Sequence, residues 1–380
     1  MMNQMEISFN SWLPTRIIFR RGALEAIGEL ASKHGRSAIV FTGKSFARKY
    51  GYDEKIKAVL EKAGVKCSFF SDVEPNPTFN TVRRGLDAAR RAEADVLIAF
   101  GGGSVIDTAK AVNVLYTLGG TVEDYVFPKT VDSRLKPLIA VPTTHGTGSE
   151  VTKYSVLVDE EKKIKTTISG EGIYPDYAVL DPEVLTYLPR DQSASTGLDA
   201  LSHAIEGFFS RRSNPYSDML AGEAAKLVFR YLPCAVSGLM QCREKVFYAS
   251  MLAGIAINYG GTNLGHGLGY ALTVELGLPH GLANAMILPG AARFYEGFLP
   301  EKTQEFFERA DLSRPPGGLE EALQTLKANV GAPLRLRELG ITREQLEHFV
   351  NEGLRYQRNL SNTPFDVDER IVREIFQTVY

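Results

Sequence analysis

Short β-branched runs alternate with helical patterns through the first half of the chain, and that alternation restricts the fold more than any other feature. "SAIVFTG", "VKCSFFS", "DVLIAFGGG" and "PLIAVPTT" are separated by helical stretches at about 53–63, at about 80–92 and after Gly103. Strands separated by helices of this length predict a parallel sheet with helices on both faces. After "YAVLDPEVL" the texture changes. From about Pro189 the chain is dominated by Ala/Leu-rich segments at helical spacing, such as "DMLAGEAAKLVFRYL" and "KVFYASMLAGIAI", punctuated by Gly and Pro. The expected organisation is an α/β domain with a parallel sheet over 1–185 and an all-helical domain over 186–380. The run "DEEKKIK" at 159–165 reads as a solvated turn between two strands.

At 380 residues and 44% hydrophobic content the chain can bury a large core. A net charge of -2 gives no basic field to attract nucleic acid or anionic lipid, so any anionic ligand must be held locally. "MMNQMEISFNSWLPTRIIFRRG" lacks the basic-then-apolar order of a signal peptide, and no apolar run is long enough to span a bilayer. The expectation is a cytoplasmic protein without a nucleic-acid or membrane partner. Cys67, Cys234 and Cys242 have no C-x-x-C spacing, which predicts ordinary thiols rather than a disulfide framework or a thiolate metal site. Trp12 and the pairs Phe69/Phe70 and Phe208/Phe209 read as packing; His34 and His348, among charged neighbours, read as surface residues.

Two glycine-rich stretches suit a dinucleotide. In "DVLIAFGGGSVIDTAKAVNVL" a strand, a tight turn and a helix follow one another, so free helix N–H groups point over Gly101, Gly102, Gly103 and Ser104. Pyrophosphate fits there because glycine admits close backbone approach, and Ser104 can cap the helix or donate to a phosphate oxygen. Ile106 occupies the third-glycine position of the Rossmann fingerprint, so a different dinucleotide fold is expected. Asp107 is counted with this site. In "VPTTHGTGSEV" the hydroxyls of Thr143, Thr144, Thr147 and Ser149 cluster at a strand end, as ribose and amide recognition requires. After "SAIVF" the turn reads Gly43, Lys44, Ser45, with no acid before Asp53. A basic residue there accommodates a 2′-phosphate, which predicts NADP(H) in preference to NAD(H).

Asp199 and His203 stand four apart in "GLDALSHAIE", on one face of a helix, and can ligate one cation together. His266 and His280 lie among Gly, Leu and Ala, where an unpaired polar ring is costly. A metal satisfies all four groups. One carboxylate and three imidazoles suit Fe²⁺, Zn²⁺ or a neighbouring divalent ion, and the absence of thiolates points to an exchangeable catalytic site. His145, in the second cofactor loop, has no assigned role.

Taken together, "NPTFNTVRRG", "GGGSVIDTAK", "PTTHGTGSEVT", "PDYAVLDP", "STGLDALSHAIEG" and "HGLGYALTVELGLPHGLANAMILP" resemble the iron-containing (group III) alcohol dehydrogenases, within the dehydroquinate synthase-like fold. The resemblance runs over nearly the whole chain. It implies one divalent metal, Fe²⁺ ahead of Zn²⁺, held in a cleft between the domains by Asp199, His203, His266 and His280. It implies pyrophosphate at Gly101 to Ser104, nicotinamide along Thr143, Thr144 and Ser149, and Lys165 near the ribose. It also implies a homodimer or higher homo-oligomer, and hydride transfer between a primary alcohol or aldehyde and the nicotinamide with the metal as Lewis acid. The chain departs from the family's pattern at three places. Tyr270 stands where many members have a second histidine and is expected to line the pocket; His145 stands for Ala; Gly43 stands for the Asp of NAD-preferring members. The alternatives are a zinc-dependent polyol dehydrogenase of the glycerol type and a non-catalytic NADP(H)-binding metalloprotein.

Overall fold

The computed structural model describes residues 7–380; the first six, part of the stretch read for a signal peptide, lie outside the described residues. Two compact units are present. One comprises Pro14–Thr144 and Gly148–Leu188; the other comprises the described residues up to Leu13, His145–Thr147 and Pro189–Tyr380.

The first unit is built on six strands, β1 (Arg16–Phe19), β2 (Ser37–Gly43), β3 (Lys66–Val73), β4 (Val96–Gly101), β5 (Leu138–Pro142) and β8 (Tyr177–Leu180). They run in the order β1-β8-β5-β4-β2-β3 with every pair parallel. β4 and β5 are buried at every position, which is why they read as unbroken apolar runs rather than as alternating strands. The connecting helices are α1 (Ala26–Ser32), α2 (Phe46–Lys49), α3 (Tyr52–Lys62), α4 (Phe79–Arg91) and α5 (Gly103–Leu118). Thr78 starts α4 by accepting from the Thr81 N–H at 3.3 Å. α4 and α5 close one core over Phe41, Ile39 and Ala99. β6 (Tyr154–Asp159) and β7 (Ile164–Ser169) form an antiparallel hairpin around the charged 160–163 turn, as the sequence suggests. β1 has no counterpart among the expected strands. It is only four residues long and carries no alternation to mark it.

The second unit contains no strand among its described residues. Its helices are α6 (Arg190–Phe208), α7 (Pro215–Val236), α8 (Met240–Gly260), α9 (Leu264–Leu276), α10 (His280–Phe298), α11 (Pro300–Arg309), α12 (Gly318–Asn329), α13 (Arg343–Gly353), α14 (Gln357–Leu360) and α15 (Glu369–Val379). Asn214 caps α7 by accepting from the Tyr216 and Ser217 N–H groups, both at 3.0 Å, with Pro215 opening the helix. α6 is enclosed by α7, α8 and α10, so from Gly197 to Phe208 it is buried on every side. A helix so placed exposes no polar face to water, and its few charged residues must find partners inside. No helix of the described residues is long and apolar enough to cross a membrane.

Two sequence expectations are corrected. Cys234 and Cys242 form a disulfide with Cα atoms 5.8 Å apart, because the short turn joining α7 to α8 folds two cysteines eight residues apart onto each other. Cys67 alone is a free thiol. Trp12 is not core packing: it is 51% exposed.

Candidate active site

The 3.6-residue period of α6 places Asp199, His203 and Glu206 along one side of a buried helix, and all three are buried. α9 contributes His266 in its first turn, and α10 begins at His280. The approach of α10 depends on Gly281, where a Cβ would fall 2.1 Å from the Ser195 carbonyl oxygen and 2.7 Å from Asp199 Cβ. The three elements thereby converge. One donor atom each from Asp199, His266 and His280 lies within 4.8 Å of the others. His266 Nε2 is 3.8 Å and His280 Nε2 4.0 Å from Asp199 Oδ1. His203 meets the group through His266, with the two Nε2 atoms 3.0 Å apart.

This donor set fits a divalent cation. The Gly146 carbonyl can only accept, so the His203 Nδ1 that faces it at 3.2 Å carries the proton, and the ring directs a lone pair from Nε2 toward His266. Burial, together with the neighbouring His266 ring, depresses the His203 pKa against the pull of Asp199, which keeps that lone pair available. Imidazole nitrogens and a carboxylate oxygen at this separation are the ligand types that iron and zinc take.

The surroundings contain residues that sequence reasoning did not single out. Glu206 is fully buried and its Oε2 lies 2.5 Å from His266 Nδ1. Burial alone would raise its pKa, but the His266 ring and several donors hold the carboxyl below the ordinary glutamate value. Asn284 donates to Asp199 Oδ1 at 2.9 Å and lies 3.2 Å from His280 Nε2. Both were detectable by spacing, Glu206 three residues after His203 and Asn284 four after His280, but neither type stands out in a helix. Tyr270 stacks on His280 with ring centroids 5.4 Å apart and meets His266 edge-on at 6.0 Å. Burial pushes its phenol well above the ordinary value, so it is present as a neutral hydroxyl. His145 is buried, with Nε2 3.0 Å from Ser193 Oγ, and burial lowers its pKa to about 4. His34 and His348 stand apart from this group, on Tyr177 and Glu275 respectively.

In the α/β unit the glycine-rich turn has the expected strand-to-helix form. β4 ends at Gly101, Gly102 is extended, and α5 opens at Gly103. Gly101 is required by packing: a Cβ would lie 2.4 Å from Val105 Cγ2. No side chain caps α5, so the N–H groups of Gly103 and Ser104 are left to meet an anion, while that of Val105 bonds the Gly102 carbonyl at 3.0 Å; the Ser104 hydroxyl accepts from the Asn76 N–H at 3.3 Å. Thr143 and Thr144 follow β5 and are buried, the Thr143 N–H bonding the Gly101 carbonyl at 3.0 Å and Thr144 packing over Gly102. Asp107 is occupied within the unit, accepting from Ser149 Oγ at 2.5 Å and from the Val156 N–H at 2.9 Å. Burial raises its pKa against the opposing charge of Lys110. Lys110 is also buried and donates to Ser149 Oγ, and Lys165 is buried on β7. Thr147 is half-buried and belongs to the helical unit with His145 and Gly146. Gly43 closes β2; Lys44 is exposed, its Nζ 3.7 Å from Asp72 Oδ1, and Asp72 also pairs with Arg84 at 3.0 Å.

The family comparison agrees with this chemistry. The model for "iron-containing alcohol dehydrogenase" matches residues 14–182, and that for "Fe-containing alcohol dehydrogenase family, C-terminal" matches 193–380. The chain is 32% identical over 350 residues to the NAD-dependent methanol dehydrogenase of Bacillus methanolicus, covering 89% of this chain and 91% of the relative. It is 31% identical over 382 residues to the NADPH-dependent butanol dehydrogenase of Clostridium saccharobutylicum, covering 97% of each. The crystal structure of an iron-containing alcohol dehydrogenase from Thermotoga maritima is similar with a TM-score of 0.87 at 36% identity, covering 98% of this chain and 99% of that one. With both halves matched and a buried carboxylate–imidazole cluster in place, the chain belongs to the iron-containing alcohol dehydrogenase family and is a metal-dependent, NAD(P)-linked alcohol dehydrogenase.

Proposed function

We propose that this enzyme interconverts short primary alcohols and aldehydes, taking NADP(H) in preference to NAD(H), with Fe²⁺ held by Asp199, His203, His266 and His280. The observation that carries the reading is the convergence, from three separate helices, of the buried Asp199 carboxylate, the buried His203 and His266 rings and the half-buried His280 ring. Relatives named for methanol and butanol support small linear alcohols as the substrate class. A divalent ion supplies a Lewis acid that favours loss of the hydroxyl proton in oxidation and polarises the carbonyl in reduction. The chain supplies the rest. Tyr270, packed on the His280 ring, walls the substrate pocket with a neutral phenol. Gly101 to Ser104 receive the pyrophosphate, Thr143, Thr144, Thr147 and Ser149 the nicotinamide half, and Lys165 the ribose, so that the reacting carbons are held in place. Asp107 keeps Ser149 in position.

The coenzyme preference rests on Gly43, Lys44 and Ser45. The Gly43–Ser45 turn itself carries no carboxylate to bind a 2′-hydroxyl, and the Lys44 ammonium can exchange the exposed Asp72 of β3 for a 2′-phosphate. The enzyme works in the cytoplasm as a homodimer or larger homo-oligomer, and the exposed Ile7, Phe9 and Trp12 support self-association. The test is oxidation of NADPH and NADH with a panel of short aldehydes, on protein stripped of metal and reloaded with Fe²⁺ or Zn²⁺. Turnover restored by metal and faster with NADPH is expected, with the NADPH advantage lost in Lys44→Ala. Equal rates with both coenzymes overturn the preference, and turnover without metal overturns the site. Light scattering on the same samples reads the oligomer.

A further inference from the structure

We propose that Glu206 is a positioning residue of the metal site: its carboxylate fixes the His266 ring with the proton on Nδ1 and so turns the Nε2 lone pair toward the ion. The inference rests on the metal-site reading above and concerns a residue that touches neither the ion nor the substrate.

Glu206 is enclosed by four close partners. Oε1 accepts from the backbone N–H of Asn263 at 2.8 Å and of His266 at 3.0 Å; Oε2 accepts from Ser202 Oγ at 2.7 Å and faces His266 Nδ1 at 2.5 Å. The side chain has no exposure to water. The two backbone N–H groups on Oε1 favour the ionised carboxylate, which can only accept, so His266 Nδ1 is the donor to Oε2 and the lone pair of a neutral ring lies on Nε2. That atom points at His203 Nε2 and Asp199 Oδ1. The frame around the carboxylate is closed by close contact: a Cβ on Gly265 would sit 2.8 Å from Glu206 Oε2 and 3.1 Å from Ser202 Oγ. Asn263, the residue that opens α9, is bound in turn to the Glu206 and Phe209 carbonyls at 3.0 and 3.2 Å. A ligating histidine whose far nitrogen is held by a carboxylate is a more basic and better oriented ligand than a free one.

A role as a simple staple between α6 and α9 would look much the same, and Glu206→Gln separates the two. Glutamine has the same size and can make the same number of bonds. Two backbone N–H groups cannot reverse, so they claim the amide oxygen, and the NH₂ group is turned toward Ser202 and His266. The serine hydroxyl rotates to accept. The imidazole can accept at Nδ1 only by moving its proton to Nε2, the nitrogen the metal needs.

The experiment uses the full-length protein, stripped of metal and titrated with Zn²⁺ against a chelator, with ¹⁵N-histidine NMR spectra of the metal-free and zinc-loaded forms. In the wild type His266 should show Nδ1–H in both states. In E206Q the metal-free ring should carry Nε2–H, and zinc should bind about 10- to 100-fold more weakly, with the thermal transition of the metal-free protein little changed. Unchanged zinc affinity in E206Q, or weakened affinity with His266 still Nδ1–H, overturns the positioning role and leaves a staple. If E206Q does not fold, the wild-type spectrum decides: Nδ1–H supports the proposal and Nε2–H overturns it. Wild-type protein that binds no zinc overturns the metal-site reading itself, and this inference with it.

Discussion

The carbonyl oxygen of Gly146 lies 3.2 Å from His203 Nδ1, so a loop that reads in sequence as part of a cofactor site fixes the orientation of the imidazole beside the Asp199–His266–His280 cluster. His145 holds that loop against α6 through Ser193 Oγ. His145→Ala removes a buried, hydrogen-bonded ring and leaves Ser193 short of a partner. Chemical denaturation should show a loss of about 2–3 kcal/mol, and chelator competition should show metal affinity falling roughly tenfold. Unchanged affinity would mean that the Gly146 carbonyl is held without His145.

Metal binding should be visible as stability. An ion that binds the folded chain alone stabilises it by about 2.7 kcal/mol at a hundredfold excess over Kd, so stripping wild-type protein should lower Tm by several degrees. His266→Ala should lose bound metal and activity, keep its far-UV circular dichroism spectrum, and show a Tm that no longer responds to chelator. A chelator-sensitive Tm in that variant would place the ion elsewhere.

The glycine-rich turn and the metal cluster belong to different compact units, which allows the two to be separated by mutation. Gly101→Ala forces a methyl to within 2.4 Å of Val105 at the start of α5. NADPH affinity, followed by nicotinamide fluorescence, should fall at least about tenfold, while metal content by elemental analysis stays at the wild-type level.

Two buried groups should tilt the pH dependence of stability in opposite directions. Burial raises the Glu150 pKa to about 7 against the weaker pull of its own backbone N–H and Lys110, so the folded state holds an extra proton, and Glu150 withdraws stability as pH rises from about 4.5 to about 7. Burial lowers the His145 pKa to about 4, so His145 withdraws stability as pH falls from about 6.5 to about 4. Their effects largely offset in the wild type. Glu150→Gln should remove the first effect, so that urea-unfolding stability relative to the wild type rises by roughly 3 kcal/mol as pH goes from about 4.5 to about 7. A pH profile parallel to the wild type would contradict the protonated state of Glu150.

The residues with unusual chemistry were legible before the fold. Asp199 and His203 announce themselves because a polar pair on an apolar helix has to be explained, and His266 and His280 because so few histidines stand among so many small apolar residues. Glu206 and Asn284 were not, since a single carboxylate or amide in a helix is ordinary until its burial is known. The Cys234–Cys242 bridge was equally hidden, because eight residues of separation mean nothing until a turn closes them.

What the sequence determined by itself was local: which runs are strands and which are helices, fixed by side-chain periodicity and by Gly and Pro at the breaks. Strands β2 and β5 and helices α3 and α4 fall within a residue or two of the expected places for this reason. Only the tertiary structure decided which polar atoms face each other, that His145–Thr147 serve the helical unit, and that His203 turns Nδ1 to the Gly146 carbonyl. Those outcomes depend on residues tens of positions apart meeting in a water-free interior, where each unsatisfied donor or acceptor is costly and the arrangement that pairs them is selected.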